Sequence, residues 1–397
     1  MAALARLVVK QGREKSLRRR HPWVFSGAVA RVEGRAAAGE TVDVVDTSGA
    51  FLARAAFSPS SQIRARVWTF DRDETVDAKF FARRLERGIA TRRRLGLLAP
   101  DGACRLVFSE SDGLPGLVVD RYADHLVCQF LSAGAEAWRE TIVAELGRLL
   151  APAGIYERSE GGARHKEGLA SRRGSLGGEE PPPRLEYRSG ALRRVVDIAQ
   201  GQKTGAYLDQ QWNRERVAHY APGARVLDAF AYTGGFALAC LAAGAEQATL
   251  VESSAEALRH AVEEAERNGR AGECRMVHAD VFEELRALRA RGERFGLVVL
   301  DPPKFVHSAE QVRSGSRGYK DINLLAFELL EPGGILATFS CSGHVDAALF
   351  QKIVAGAAVD AGRSARILER LGQPPDHPVA LEFPEGEYLK GLIVEAD

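Results

Sequence analysis

The chain reads as a mixed α/β protein whose C-terminal half is a parallel sheet covered on both faces, and three observations carry that reading. From about Ala224, apolar strand-like runs alternate with amphipathic helical stretches, the rhythm of linked βα units. Residues 1–70 instead hold short β segments broken by Gly12, Gly39 and Gly49, for which a small β-barrel is the natural solution. The 45% hydrophobic and 27% charged composition excludes fibrous and wholly disordered classes, and no run approaches 18 uncharged apolar residues, which removes a transmembrane helix. At roughly 100–200 residues per domain the length suits two or three domains, divided here as 1–72, 73–190 and 191–397.

In chain order, strands are expected at Leu7 to Lys10, Glu40 to Val45, Phe51 to Ala56 and Ile63 to Thr69. A helix from Ala78 to Leu98 places Phe80, Phe81, Leu85 and Ile89 on one face and Arg83, Arg84, Arg87, Arg92, Arg93 and Arg94 on the other. A central α+β segment follows, with strands at Arg105 to Phe108, Gly116 to Val119 and Leu126 to Leu131 and a helix from Trp138 to Leu150. The Gly/Pro/charge-rich tract from Arg172 to Pro183 reads as a loop or linker. The βα alternation then gives strands ending at Ala229, Glu252, His278, Leu300 and Ser340. Helices are expected at Gly235 to Ala243, at Ala255 to Asn268, after Asp280 and around Asn323 to Leu330.

Five cysteines, with no C-x-x-C pair and no metal-ligand spacing, argue against a disulfide framework or a metal site. The start, Met1 to Arg20, is basic but lacks the apolar core of a secretory signal, so a cytoplasmic location without membrane attachment is the expectation. Residues 1–70 carry 12 Lys/Arg against 5 Asp/Glu while the whole chain nets only +1, so the basic end is the part expected to meet a polyanion. Trp23, Phe25 and Trp68 suit either stacking on unpaired bases or packing of the small barrel, the latter being the commoner use.

In sheets of this kind ligands gather at the carboxyl ends of the strands. The first strand runs into Asp228-Ala-Phe-Ala-Tyr-Thr-Gly-Gly-Phe236, where Gly234 and Gly235 allow a tight turn and close approach to a ligand. The spacing is not G-x-G-x-x-G, and an opening carboxylate suits an ammonium-bearing ligand better than a pyrophosphate. Glu252 ends the second strand, 24 residues on, near the interval at which an acid meets ribose hydroxyls. After the third strand, Asp280 offers an acceptor to an adenine amino group, with Val281 and Phe282 to sandwich the ring. Each acid alone is more commonly a helix cap. Together they indicate a nucleoside carrying an amino acid, S-adenosylmethionine.

The fourth strand delivers Asp301-Pro-Pro-Lys-Phe305, a stiff loop whose acid can accept from the amino group of a planar base, with Pro302, Pro303 and Lys304 lining the substrate side. The fifth ends in Ser340-Cys341-Ser342-Gly343, which sets Cys341 beside Asp301 if the two strands are neighbours. A thiolate there can attack carbon 6 of a pyrimidine and so make carbon 5 nucleophilic, help that an exocyclic nitrogen does not need. The base that removes the carbon-5 proton stays open among His377, Glu382, Glu385 and His344. The other four cysteines lie in apolar or amphipathic runs and read as packing residues.

The segments Gly201–Arg214, Asp228–Phe236, Asp301–Phe305, Gly318–Asn323 and Ser340–His344, with Ser109–Asp120 and Tyr156–Arg158, together resemble the RlmI-like S-adenosylmethionine-dependent methyltransferases, whose members include a 23S ribosomal RNA cytosine-5 enzyme. The resemblance spans nearly the whole chain. It implies an N-terminal RNA-binding PUA domain, a central α+β domain and a C-terminal Rossmann-like class I methyltransferase domain. It also implies a cofactor or base pocket bordered by Lys203, Thr204, Gly205 and Asp209, with Asp228, Tyr232, Thr233 and Gly234 at the methionine part, Glu252 at the ribose and Asp280 at the adenine. Asp301 would hold the target base and Cys341 would be the nucleophile. Gln211 departs from the arginine usual in that family, and Ala231 from its serine.

The leading reading is therefore an RNA cytosine-5 methyltransferase acting on ribosomal RNA, with a homodimer as one admissible assembly. Uracil-5 methylation uses the same thiol, base-nitrogen methylation suits Asp-Pro-Pro but leaves Cys341 idle, and a non-catalytic RNA-binding assembly factor leaves the acid set without a purpose.

Overall fold

The computed structural model describes residues 4–201 and 203–397, so the first three residues and Gln202 of the Gly201–Arg214 segment lie outside the described residues. It divides into two compact units, Met1–Tyr187 with Val195–Leu208 and Pro375–Gly386, and Arg188–Arg194 with Asp209–Pro374 and Glu387–Asp397.

The first unit begins with β1 (Arg6–Val9), α1 (Lys15–Arg18), β2 (Trp23–Phe25), β3 (Val29–Glu33), β4 (Thr41–Val45), β5 (Phe51–Phe57) and β6 (Ile63–Thr69). The strands form one sheet in the order β2-β6-β5-β4-β1-β3. Alternate residues of β4, Val42 and Val44, and of β5, Ala53 and Ala55, are fully buried, as a period of two requires. β3 escapes the sequence pattern because Val29–Glu33 is half-buried at best and takes its conformation from antiparallel pairing with β1.

Helix α2 (Ala78–Arg94) starts where Asp77 Oδ1 accepts the Phe80 N–H at 2.9 Å, and it buries Phe80, Phe81, Leu85 and Ile89. Trp68 packs edge-on against Phe80 and Phe81 and is 3% exposed, so it is a core residue, whereas Phe25 is 48% exposed. One basic residue was misplaced by periodicity. Arg92 is fully buried, donating to both carboxylate oxygens of Asp112 (2.6 and 2.8 Å) and to the carbonyls of Arg105 and Asp376. Arg83 and Arg84 both pair with Glu74, leaving Arg87, Arg93 and Arg94 as the exposed remainder of that face.

The next strands are β7 (Ala103–Phe108), β8 (Leu117–Tyr122), β9 (His125–Phe130), β10 (Gly154–Ser159) and β11 (Arg172–Gly178), hydrogen-bonded in the order β11-β10-β9-β8-β7. Helices α3 (Ala133–Ala137), α4 (Arg139–Leu150) and α5 (Gly162–Lys166) connect them. β11 corrects the expectation of a loop over Arg172 to Pro183. It is an edge strand, with no apolar alternation to reveal it, held by backbone pairing to β10. A buried polar cluster crosses this sheet: Arg105 donates Nε and Nη2 to the two oxygens of Asp120, each at 2.7 Å, and Thr204 donates its hydroxyl to Asp120 Oδ2 at 2.5 Å. A hairpin, β12 (Leu185–Ser189) and β13 (Leu192–Val196), follows.

The second unit contains α6 (Gln211–Ala218), β14 (Arg225–Ala229), α7 (Gly235–Ala242), β15 (Gln247–Glu252), α8 (Ala255–Arg267), β16 (Cys274–His278), α9 (Val281–Ala290), β17 (Phe295–Leu300), α10 (Val312–Leu329), β18 (Leu330–Ser340), α11 (Ala347–Asp360), β19 (Ala365–Leu371) and β20 (Lys390–Ala396). The sheet order is β16-β15-β14-β17-β18-β20-β19. Five strands pair in parallel, as the βα rhythm requires, but β20 runs antiparallel to both its neighbours, β18 and β19, so the sheet is mixed rather than wholly parallel. Helix α10 begins well before Asn323 because its buried positions, Gly315, Tyr319, Ile322 and Ala326, continue one stripe toward the N-terminus.

Candidate active site

The strand order reverses between β14 and β17, the switch point at which such sheets open a crevice at their carboxyl ends. The segment from Phe230 to Gly234 leaves β14 there in an unusual backbone. Phe230 (φ 64°), Tyr232 (φ 48°) and Gly234 (φ 72°) are all left-handed, two of them without the freedom of glycine. Such strain persists only where surroundings enforce it. Glu252 supplies part of that force: its Oε2 accepts the Tyr232 N–H at 2.8 Å while Oε1 accepts the Ser254 N–H at 2.8 Å. At Gly234 the left-handed backbone suits glycine, and a Cβ there would stand 2.7 Å from Leu250 Cδ2 and displace that methyl. Thr233 Oγ1 accepts from Arg194 Nη2 at 2.9 Å.

Asp228 is buried beneath this loop and accepts the Ala237 N–H at 2.9 Å through Oδ2, tying the strand end to the first turn of α7; no protein donor reaches its buried Oδ1 among the described residues. Burial pushes its pKa up to about 7, an upward shift to which the negative charges of Asp301 and Glu252 add. Asp280 is exposed and caps α9, accepting the Glu283 N–H at 3.1 Å. Of the two apolar neighbours expected to sandwich a ring, Val281 is a core residue, because the first turn of α9 turns it inward. Phe282 is half-buried in a cluster with Phe230 and Phe305, their centroids 5.9–6.4 Å apart.

β17 and β18 are hydrogen-bonded neighbours, so Asp301 and Cys341 follow adjacent strand ends. Gln210, just before α6, donates Nε2 to Asp301 Oδ1 at 2.9 Å and is itself held by Asn213, whose side-chain amide donates to Gln210 Oε1 at 2.6 Å. Pro302 is buried while Pro303 and Lys304 are exposed. The two loops are tied together: the Val306 N–H donates to Ser342 Oγ at 3.3 Å, and the Tyr319 hydroxyl lies 2.9 Å from that oxygen. Asp209 accepts the Tyr388 hydroxyl proton at 2.7 Å. Cys341 is half-buried, Cys274 is half-buried with its thiol pushed up to about 11 by burial, and Cys104, Cys128 and Cys240 are buried with thiols pushed far higher.

Three residues carried over by resemblance, Lys203, Thr204 and Gly205, belong to the first unit. Lys203 has a left-handed backbone and places Nζ 4.1 Å from the Tyr207 ring centroid; Thr204 is the buried donor to Asp120; a Cβ at Gly205 would collide with Val196. The candidate bases His377, Glu382 and Glu385 are also in that unit. His377 is buried with Nδ1 2.8 Å from Asp376 Oδ1, and Glu385 lies 3.2 Å from the His21 ring nitrogen. His344 is exposed in the second unit. Sequence reasoning overlooked Gln210, though it lies inside a motif singled out, and Lys390, whose signal was a charge opening a strand that runs on through Leu392, Ile393 and Val394.

Residues 7–70 match a PUA-like domain and residues 170–392 an S-adenosylmethionine-dependent methyltransferase model. The chain is 52% identical over 396 residues, 99% of each sequence, to Ribosomal RNA large subunit methyltransferase I of Aeromonas hydrophila. It belongs to the ribosomal RNA large subunit methyltransferase I family. Another member, from Klebsiella pneumoniae strain 342, is 51% identical over 98% of this chain and 97% of its own. As a methyltransferase of this family the protein uses S-adenosylmethionine. The fold is shared by a solved Streptococcus mutans chain described as a SAM-dependent methyltransferase (TM-score 0.84, 21% identity, 98% of this chain and 99% of that one). It is shared also by a methyltransferase solved with SAH (TM-score 0.85, 21% identity, 98% and 99%). Among the described residues, no helix of this methyltransferase is long and apolar enough to cross a membrane.

Proposed function

We propose that the protein methylates carbon 5 of a cytosine in ribosomal RNA, 23S being the molecule, through a covalent adduct with Cys341. The observation that carries this reading is the position of Cys341, half-buried where β18 ends, on the strand neighbouring the one that delivers Asp301, while three of the other four thiols are buried in the cores. The relatives' name and the PUA-like match support ribosomal RNA as substrate, met in the cytoplasm. Functionally, residues 1–72 would grip RNA, 73–190 would support that grip, and 191–397 would carry the chemistry.

The loop from Asp228 to Gly234, with Tyr232 and Thr233, together with Glu252 and Asp280, forms the cofactor cradle in this reading. The buried Oδ1 of Asp228, which no protein donor reaches among the described residues, fits a ligand bearing an ammonium group. Asp209 contributes from the same unit by accepting the Tyr388 hydroxyl proton. When bound, S-adenosylmethionine supplies an electrophilic methyl on a sulfonium. The Cys341 thiolate adds to carbon 6 of the base, carbon 5 takes the methyl, its proton leaves to a base, and the sulfur is expelled with its electron pair. Asp301, oriented by Gln210, accepts from the exocyclic amino group; cytosine offers a donor there and uracil does not. Pro303 and Lys304, both exposed, line the approach, and buried Pro302 stiffens the turn behind them. The target is single-stranded or flipped out of its helix, at a cost of a few kcal/mol.

Substrate RNA carrying 5-fluorocytidine at the target should trap a covalent protein–RNA complex that survives denaturing electrophoresis, because fluorine at carbon 5 cannot leave as a proton. An active enzyme that yields no such band would favour nitrogen methylation. Reversing charge at Arg18, Arg19 and Arg20, all exposed, should weaken RNA binding and make log K fall less steeply with log salt, by about one unit of slope for each phosphate no longer neutralised. An unchanged slope would move the RNA surface elsewhere.

A further inference from the structure

Lys390 opens β20 directly across from Ser340 in the antiparallel register with β18. It is 7% exposed, and its Nζ donates to the carbonyl oxygens of Ser342 at 2.7 Å and Tyr388 at 2.9 Å. Its amine is thus fastened to the stretch of backbone that carries Cys341, opposite the residue before it and bonded to the residue after it. A nitrogen with two N–H groups committed to carbonyls has one tetrahedral direction left: an N–H in the ammonium, a lone pair in the amine. Burying an ammonium against neutral carbonyls alone is costly, and a nearby anion offsets that cost. Burial pushes the Lys390 pKa down and Lys304 adds to that shift, while Cys341, Glu387 and Asp346 oppose it. Tyr319 of α10 also feels the charge of Cys341.

We propose that Lys390 is a positioning residue for methyl transfer, taking the proton of the Cys341 thiol and standing beside the resulting thiolate as its ammonium partner. The inference rests on the reading of Cys341 as the nucleophile. In this step the S–H bond breaks, an N–H bond forms, and the electron pair stays on sulfur for attack at carbon 6. The later expulsion of sulfur regenerates the same ion pair, so no redox partner is required. The Ser342 and Tyr388 carbonyls keep the ammonium from swinging away.

The test is the rate of Cys341 alkylation by iodoacetamide in the full-length protein without RNA, followed by peptide mass spectrometry from about pH 5 to 10. The wild-type midpoint should lie below the ~8.5 of an ordinary thiol. In Lys390→Met it should rise by about one unit, a roughly tenfold slower alkylation at pH 7, and Lys390→Arg should restore most of the rate. A wild-type midpoint at or above ~8.5, or superimposable wild-type and Lys390→Met profiles, overturns the proposal. Should Lys390→Met fail to fold, judged by lost S-adenosylmethionine binding, the wild-type midpoint decides alone. The carbon-5 reading fails by different results, full turnover of Cys341→Ala or an absent fluorocytidine adduct, neither of which involves the alkylation profile.

Discussion

Cys341→Ala should lower methyl transfer by at least about 1,000-fold while leaving S-adenosylmethionine affinity within about twofold of wild type. The reason is chemical: carbon 5 of a cytosine is a poor nucleophile until sulfur adds at carbon 6, and no other half-exposed thiol follows a strand next to that of Asp301 among the described residues. In the proposed site the cofactor cradle lies at the ends of β14, β15 and β16, not of β18, so its affinity should be insulated from the change. Single-turnover transfer to ribosomal RNA and calorimetric titration of the cofactor measure the two quantities separately. Undiminished transfer would remove the covalent route.

Asp120→Ala should be the most destabilising single change in the first unit, costing about 3–5 kcal/mol. Asp120 is fully buried and accepts two bonds from Arg105 and one from the Thr204 hydroxyl. Its removal leaves a guanidinium, 11% exposed, without its carboxylate. At roughly 2–4 °C per kcal/mol for a unit of this size, the unfolding temperature should fall by about 6–20 °C. Asp120→Asn, which keeps one acceptor, should lose less. Differential scanning calorimetry checks both, and a shift under about 2 °C for the alanine variant would show that the cluster is dispensable.

The parts of the fold that sequence made legible are those whose burial is periodic. β6 and the start of α2 fall where alternation and helical spacing put them, and the five parallel strands of the second unit end at or within a residue of their expected positions. The parts that were not legible derive from partners far along the chain. β11 is a strand because β10 lies beside it, β20 is antiparallel because the chain returns across β18, and Arg92 is buried because Asp112 and the Asp376 carbonyl surround its guanidinium. A helical wheel records only which face a residue occupies, not whether an acid waits inside the protein to neutralise it.

The candidate site divides in the same way. Asp228, Glu252, Asp280, Asp301 and Cys341 are singled out by sequence because each stands at or just after a strand's end, and in parallel βα units strand ends share one edge. Their local work was not found: Asp228 and Asp280 anchor helix starts, and Glu252 clamps a left-handed Tyr232. Local order thus determined the family, the fold and the places of the candidate residues, since periodic burial and strand-end placement are properties of nearby residues. Tertiary structure alone decided that Gln210 meets Asp301, 91 residues away, and that Lys390 meets the backbone of Ser342, 48 residues away. Hydrogen bonds to such distant partners depend on sheet order and register, which no local pattern encodes.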